Sequence, residues 1–171
     1  LIEAIIRQGF KDILISNSHG GNIIAMQQIL DELAPTSKAT LVATTYDVEA
    51  GEDLSRHLED QSGVLHAGEA ETSMMLVCEP DLVDTSNLNK LASSEGDTHF
   101  LSVGQNSYRW RPFAHMTENG LAGNPARSNV VKGENMLEAG AKALANLIID
   151  PETWAAPKDL RLAKIGGASL R

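Results

Sequence analysis

A chain of 171 residues with 42% apolar content can bury one ordinary core, so a single main domain is expected. A net charge of −9 and a pI near 4.9 exclude the electrostatics of a nucleic-acid binder, since no Lys/Arg cluster offsets the acidity. One cysteine, Cys78, precludes an intrachain disulfide and fits a reducing compartment. It lies in the apolar run Met74 to Cys78, which predicts a buried, inert thiol.

No run of about 18 apolar residues and no basic stretch leading into an apolar block is present, so no membrane span or signal peptide is expected. The cytoplasm is the default location. The chain opens at Leu1 inside an amphipathic pattern, Leu1 to Gln8, closed by Gly9 as a left-handed cap. That opening predicts a domain incomplete at its N-terminus.

Asp12 to Ser16 reads as a strand, Asn22 to Leu33 as a helix stopped at Ala34-Pro35, and Ala39 to Thr45 as a second strand. Strand, helix and strand imply a right-handed crossover and parallel pairing. An acidic loop, Glu49 to Asp60, follows. His66-Ala67-Gly68 then introduces a helix, Glu69 to Cys78, ended before Pro80.

Asp81 to Asp97 is polar and predicts a surface excursion. Tyr108 to Phe113 suggests a strand or ordered loop, with Pro112 favouring an edge. Glu118 to Pro125 is dense in turn formers. A long amphipathic helix is expected from Ser128 or Asn129 to Ile149, with Val130, Val131, Leu137, Ala141, Leu144, Leu147 and Ile148 as its buried stripe and Gly133 and Gly140 as weak points. Residues 1–150 are thus read as an α/β domain and 151–171 as a tail that hangs loosely or covers a neighbour.

Chemistry concentrates where Ile13-Leu14-Ile15-Ser16-Asn17 runs into Ser18-His19-Gly20-Gly21-Asn22. This places His19 at the carboxyl end of a strand, where open α/β sheets bind ligands, beside two glycines that let the backbone approach a bound group. His66, Glu69 and Glu71 are further candidates for a metal-hydrolase centre. Glu69 and Glu71 point about 200° apart on a helix, so at most one can share a pocket with His19. An acidic first turn also has a purely structural explanation in the helix dipole. His57 and His99 are expected to be solvated, and His115 is ambiguous. A phosphate or nucleotide site at Ser16 to Gly21 is disfavoured because the glycine spacing fits neither a P-loop nor a dinucleotide fingerprint.

Asn17-Ser18-His19-Gly20-Gly21-Asn22 resembles the Asn-Gly-His-Gly-Gly-Asn motif of the creatininase (creatinine amidohydrolase) family, and His66-Ala67-Gly68-Glu69-Ala70-Glu71-Thr72-Ser73 resembles its His-Ala-Gly-x-x-Glu-Thr-Ser motif. Asn119 to Pro125, followed by Lys132-Gly133-Glu134, is similar to the family's Gly-x-x-Gly-Asp/Asn-Pro turn and downstream Lys-Gly-Glu. The order of the three is more specific than any one of them.

The resemblance implies a three-layer α/β sandwich with a mostly parallel sheet flanked by helices. It also implies a two-metal centre of zinc, manganese or iron that cleaves a C–N bond of a small cyclic amide, formamide or related substrate with a metal-activated water. On it His19 and Glu71 are metal ligands, His66 is the catalytic residue that handles a proton, and Gly20, Gly21 and Asn22 shape the substrate pocket. A homo-oligomer is implied, with a small-molecule amide as partner and neither nucleic acid nor membrane.

The sequence departs from the family pattern before His19. The upstream Glu-x-His pair and Asp that supply the other ligands are missing, and only Glu3 and Asp12 stand there as carboxylates. The chain therefore resembles the C-terminal two-thirds of a member. Creatininase itself has Tyr and Glu after the histidine, where Gly20 and Gly21 stand here, which weakens the expectation of creatinine as substrate. The alternative is a non-catalytic remnant serving assembly or binding.

Overall fold

The computed structural model describes residues 1–91, 110, 112–158 and 160. The class is the expected one, α/β, with a small parallel sheet flanked by helices. The chain divides into two compact units, Leu1–Glu49 with Ala143–Arg171, and Ala50–Lys142.

In the first unit, α1 (Ile2–Arg7) leads through Gly9, at φ +97°, into β1 (Asp12–Asn17). The glycine serves as the anticipated left-handed stop, its N–H donating to the carbonyl of Ile6 at 2.9 Å. A 3-10 turn, Gly20–Asn22, precedes α2 (Ile23–Leu33), and β2 (Thr40–Thr45) returns parallel to β1.

Register runs from Asp12 opposite Thr40 to Asn17 opposite Thr45. Ile13 and Ile15 in β1, and Val42 with Thr40, Thr44 and Thr45 in β2, supply the branched side chains that favour the pleated conformation. Helix α2 packs on β2, as a crossover helix should. The strand ends bring Asn17 and Thr45 together at one edge, both buried.

Beyond β2 the acidic stretch expected as a loop contains two short helices, α3 (Tyr46–Ala50) and α4 (Glu52–Ser55). Glu52 and Asp53 lie in the first turn of α4, where the helix dipole favours acids. The second unit is built on α5 (Glu69–Cys78) and the start of α6 (Val130–Ile149), with short 3-10 turns among the described residues between them. Its core comprises Leu54, Ala70, Met74, Ala122 and Met136.

The buried face of α6 differs from the expected stripe. Val130, Val131 and Ile148 are exposed, whereas Gly133, Met136 and Gly140 are buried. Gly133, read as a weak point, is the contact point: a Cβ there would collide with the carbonyl oxygen of Ser73 on α5. The helices meet backbone to backbone, so the interface selects small residues and periodicity of large apolar residues misidentifies it.

Cys78 is likewise exposed rather than buried. It closes α5 where the helix ends before Pro80. Thr85–Lys90 forms a 3-10 turn inside the predicted polar excursion, capped by the Asp84 side chain, which accepts from the Ser86 N–H. Residues 92–109 and 111 lie outside the described residues, and with them His99 and most of the predicted segment from Tyr108 to Phe113. After α6 comes a helical turn, α7 (Pro151–Trp154), capped by Asp150 and tied back by the Trp154 Nε1 donating to the Ile148 carbonyl at 2.9 Å. None of the described helices is long and apolar enough to cross a membrane.

Candidate functional site

Two turns carry the candidate residues, one in each unit. In the first, Asn17 organises the peptide around His19. Its Nδ2 donates to the His19 carbonyl at 2.6 Å and to Thr45 Oγ1 at 3.1 Å. Its Oδ1 accepts from the His19 N–H and from Asn22 Nδ2, each at 3.2 Å.

A single buried amide thereby gives one donor and its acceptor to the turn and its other donor to β2, and Asn22 is drawn to the same point. The His19 side chain is exposed and its ring lies over Gly21, where a Cβ would sit 2.9 Å from Nε2. Gly21 thus leaves room for the imidazole in this position; a larger residue would push the ring aside. Gly20 meets no such neighbour.

In the second unit His66 is exposed, with its ring edge-on to Phe113 at a centroid distance of 4.6 Å and an interplanar angle of 67°. Its carbonyl accepts from the Ala122 N–H at 2.9 Å. Gly68 and Gly123 approach so closely that a Cβ on Gly68 would lie 3.0 Å from the Gly123 Cα. The His-Ala-Gly turn and the Gly-Leu-Ala-Gly turn are therefore stacked backbone on backbone, which accounts for their glycines.

Glu69 and Glu71 separate as helical geometry requires. Glu69 is fully buried; its carboxylate accepts from the N–H groups of Glu59, at 3.0 and 3.2 Å, and of Asp60, at 3.4 Å. Lys132 Nζ reaches it at 2.5 Å and reaches Glu59 at the same distance. Glu71 is half-buried, and its Oε2 accepts from the Ala67 N–H at 2.7 Å.

Lys132 and Glu69 are the residues whose role sequence reasoning missed. The signal was present in Lys132-Gly133, where the lysine meets the buried carboxylate and the glycine meets Ser73. Glu134 of the same triplet is exposed. Around the pair, Asp60 accepts from Asn124 Nδ2 at 2.7 Å and Arg127 Nε at 3.1 Å. No buried side-chain nitrogen or oxygen among the described residues lacks a partner.

Burial pushes the Lys132 ammonium toward neutrality, but the carboxylates of Glu59 and Glu69 together outweigh it and raise its pKa. The Lys132 hydrogen bond holds Glu59 below its ordinary value, and the Arg127 hydrogen bond, followed by that of Asn124, does the same for Asp60. A depressed folded-state pKa stabilises above the unfolded value and is lost as pH falls through the folded one. Melting temperature should accordingly decline on acidification below about pH 4, and Arg127→Ala should flatten that decline. Circular-dichroism melts between pH 3 and 7 check both statements; identical profiles for parent and variant would contradict the assignment.

Of the other histidines, His57 is half-buried after α4, not fully solvated as expected, and His115 is exposed in the 3-10 turn Phe113–His115. Among the described residues no three His, Cys, Asp or Glu side chains come together to hold a metal ion. The described part of the chain therefore does not by itself fit a metal centre, which needs at least three protein ligands in a catalytic zinc site.

The creatininase family model, described as creatinine amidohydrolase, matches residues 1–148. The chain belongs to this family. Among solved structures, a putative creatinine amidohydrolase from Bacteroides fragilis NCTC 9343 aligns at TM-score 0.57 and 24% identity, over 85% of this chain and 56% of that one.

A creatinine amidohydrolase (creatininase) aligns at TM-score 0.65 and 21% identity, and a manganese creatininase at TM-score 0.64 and 22% identity, each over 91% of this chain and 61% of the other. These likenesses establish a shared fold. The creatininase-family chain spans about three-fifths of the length of these relatives. No curated protein matches the sequence.

Proposed function

We propose that this creatininase-family chain belongs to a metal-dependent amidohydrolase that cleaves a C–N bond of a small cyclic amide, formamide or related compound. The observation that carries the reading is the family match over residues 1–148; the resemblance of the segments around His19, His66 and Glu71 to the family's motifs supports it. The manganese form of a fold relative supports a divalent cation, for which zinc and iron are the other candidates, with two ions in a complete site.

In this reading His19 and Glu71 are metal ligands, Gly20, Gly21 and Asn22 shape the substrate pocket, and His66 is the catalytic residue. The exposed imidazole of His66 has the right chemistry to pass a proton to the departing nitrogen, which otherwise leaves as a poor amide anion. Asn17 keeps the His19 turn in one conformation through its four hydrogen bonds. A cytoplasmic homo-oligomer, with residues 1–150 as the α/β domain and 151–171 as a tail, completes the proposal.

In the natural full-length protein charged with Mn²⁺, His19→Ala should reduce bound metal and turnover together. A His19→Ala variant with full activity, in a parent holding less than about one metal per chain, would rule the reading out. The second reading, a non-catalytic family member used for assembly or binding, is favoured by the lack of a three-residue ligand set among the described residues. Metal-dependent amide hydrolysis by the 171-residue chain alone would count against it.

A further inference from the structure

We propose that the left-handed turn at Ala67 aims the His66 imidazole, and that Glu71 and Thr72 are the positioning residues that hold this turn; the inference rests on the proton-transfer role proposed for His66. Ala67, at φ +50°, is the one non-glycine residue with positive φ among those described. This conformation crowds Cβ against the backbone, so an alanine occupies it only where its surroundings compel it.

Both polar groups of the residue are claimed from the next helix. The Ala67 N–H donates to Glu71 Oε2 at 2.7 Å, and the Ala67 carbonyl accepts from Thr72 Oγ1 at 3.3 Å. The arrangement extends a capping box by one residue: Glu71 is the third residue of α5 and reaches back beyond the N-cap Gly68.

Helix α5 is itself immobilised at its first residue, where the buried Glu69 is fastened to the Glu59 and Asp60 amides and to Lys132. With α5 fixed, the Ala67 dihedral decides the direction of the chain that precedes it, and His66 is the first residue to be redirected. On its other side His66 is held through its carbonyl by Ala122 and through its ring by Phe113. Relaxation of Ala67 to an ordinary negative φ would pull against both contacts.

The Glu71 bond also commits one carboxylate oxygen to the backbone. Glu71 thus has a structural task independent of any ligand. Thr72 has a hydroxyl where an isosteric valine would fill the same space without the bond to Ala67.

The test combines two readouts. In the 171-residue chain without metal, the Ala67 amide should be protected from hydrogen exchange, and Glu71→Ala should accelerate its exchange about 10-fold or more, the effect of losing one charge-assisted hydrogen bond. In the full-length protein charged with Mn²⁺, Thr72→Val should lower kcat about 10-fold or more with KM within about twofold, because misdirection of one catalytic group costs rate more than binding. Thr72→Ser should restore kcat.

An Ala67 amide that exchanges freely in the parent, or a Thr72→Val variant with parental kcat beside an inactive His66→Ala, overturns the inference. Undiminished turnover in His66→Ala instead overturns the proton-transfer role, and the functional half of the inference with it. The exchange measurement then still decides whether Glu71 and Thr72 hold the turn.

Discussion

Lys132→Met should lower the unfolding free energy by about 3–5 kcal/mol, because it leaves the fully buried Glu69 carboxylate without its cation. The Glu69 side chain has no exposed surface, and the Lys132 side chain retains 14% of its own. Methionine preserves much of the aliphatic stem, so the loss is chiefly that of the charge. The Glu59 and Asp60 amides still donate to the carboxylate, and they define the lower bound of the effect.

Adding Glu69→Gln to Lys132→Met should recover part of the stability, since a neutral amide needs no counter-ion and can still accept from those amides. Urea denaturation of parent, single and double variants measures this directly. A Lys132→Met variant within about 1 kcal/mol of the parent would show that the backbone donors alone satisfy Glu69. The pair would then be no stronger than an exposed one.

His66→Ala should reduce turnover about 10²- to 10⁴-fold, the usual contribution of a positioned acid or base, with a much smaller change in KM. The expectation follows from the proposed hydrolysis, in which the departing nitrogen must acquire a proton. The histidine is exposed and its ring meets Phe113 at an edge, so its removal should leave the melting temperature nearly unchanged. Steady-state kinetics of the full-length protein on small lactams, formamides and creatinine, alongside a thermal melt, separates the two effects. Turnover undiminished on every substrate that the parent accepts would remove His66 from the chemistry.

The two variants test different layers of the same unit. Lys132 secures the foot of α5, and α5 in turn carries the turn from which His66 projects. Stability and catalysis should therefore respond separately, with Lys132→Met acting first on folding and His66→Ala on rate. A loss of turnover in Lys132→Met that tracks the unfolded fraction fits this division of labour.

Several features were legible locally because their causes are local. The β-branched run of β1, Pro35 after α2 and the glycine stop after α1 depend on dihedral preference, and each appears in the expected place. The opposed directions of Glu69 and Glu71 follow from helical periodicity alone. The ordered motifs predicted the family, which the match over residues 1–148 establishes.

Other assignments failed where the cause was distant in sequence. Val130 and Val131 have the hydrophobicity of a core stripe, yet α6 turns Gly133 toward α5 because the absence of a side chain lets the Ser73 carbonyl approach. Cys78 belongs to an apolar run but lies exposed at a helix end. Composition describes what a residue prefers; which face is covered depends on the neighbour available to cover it.

The amino-acid order by itself thus determined the parallel βαβ beginning, the limits of α1, α2, α5 and α6 to within a residue or two, and the chemical types at His19, His66, Glu69 and Glu71, since strand, helix and turn preferences act over a few residues. Tertiary structure alone decided the use of those groups. It committed Glu69 to Lys132, across 63 positions of sequence, and turned Glu71 back onto Ala67. A buried charge must find its counter-charge wherever folding brings one, and no local pattern announces that meeting.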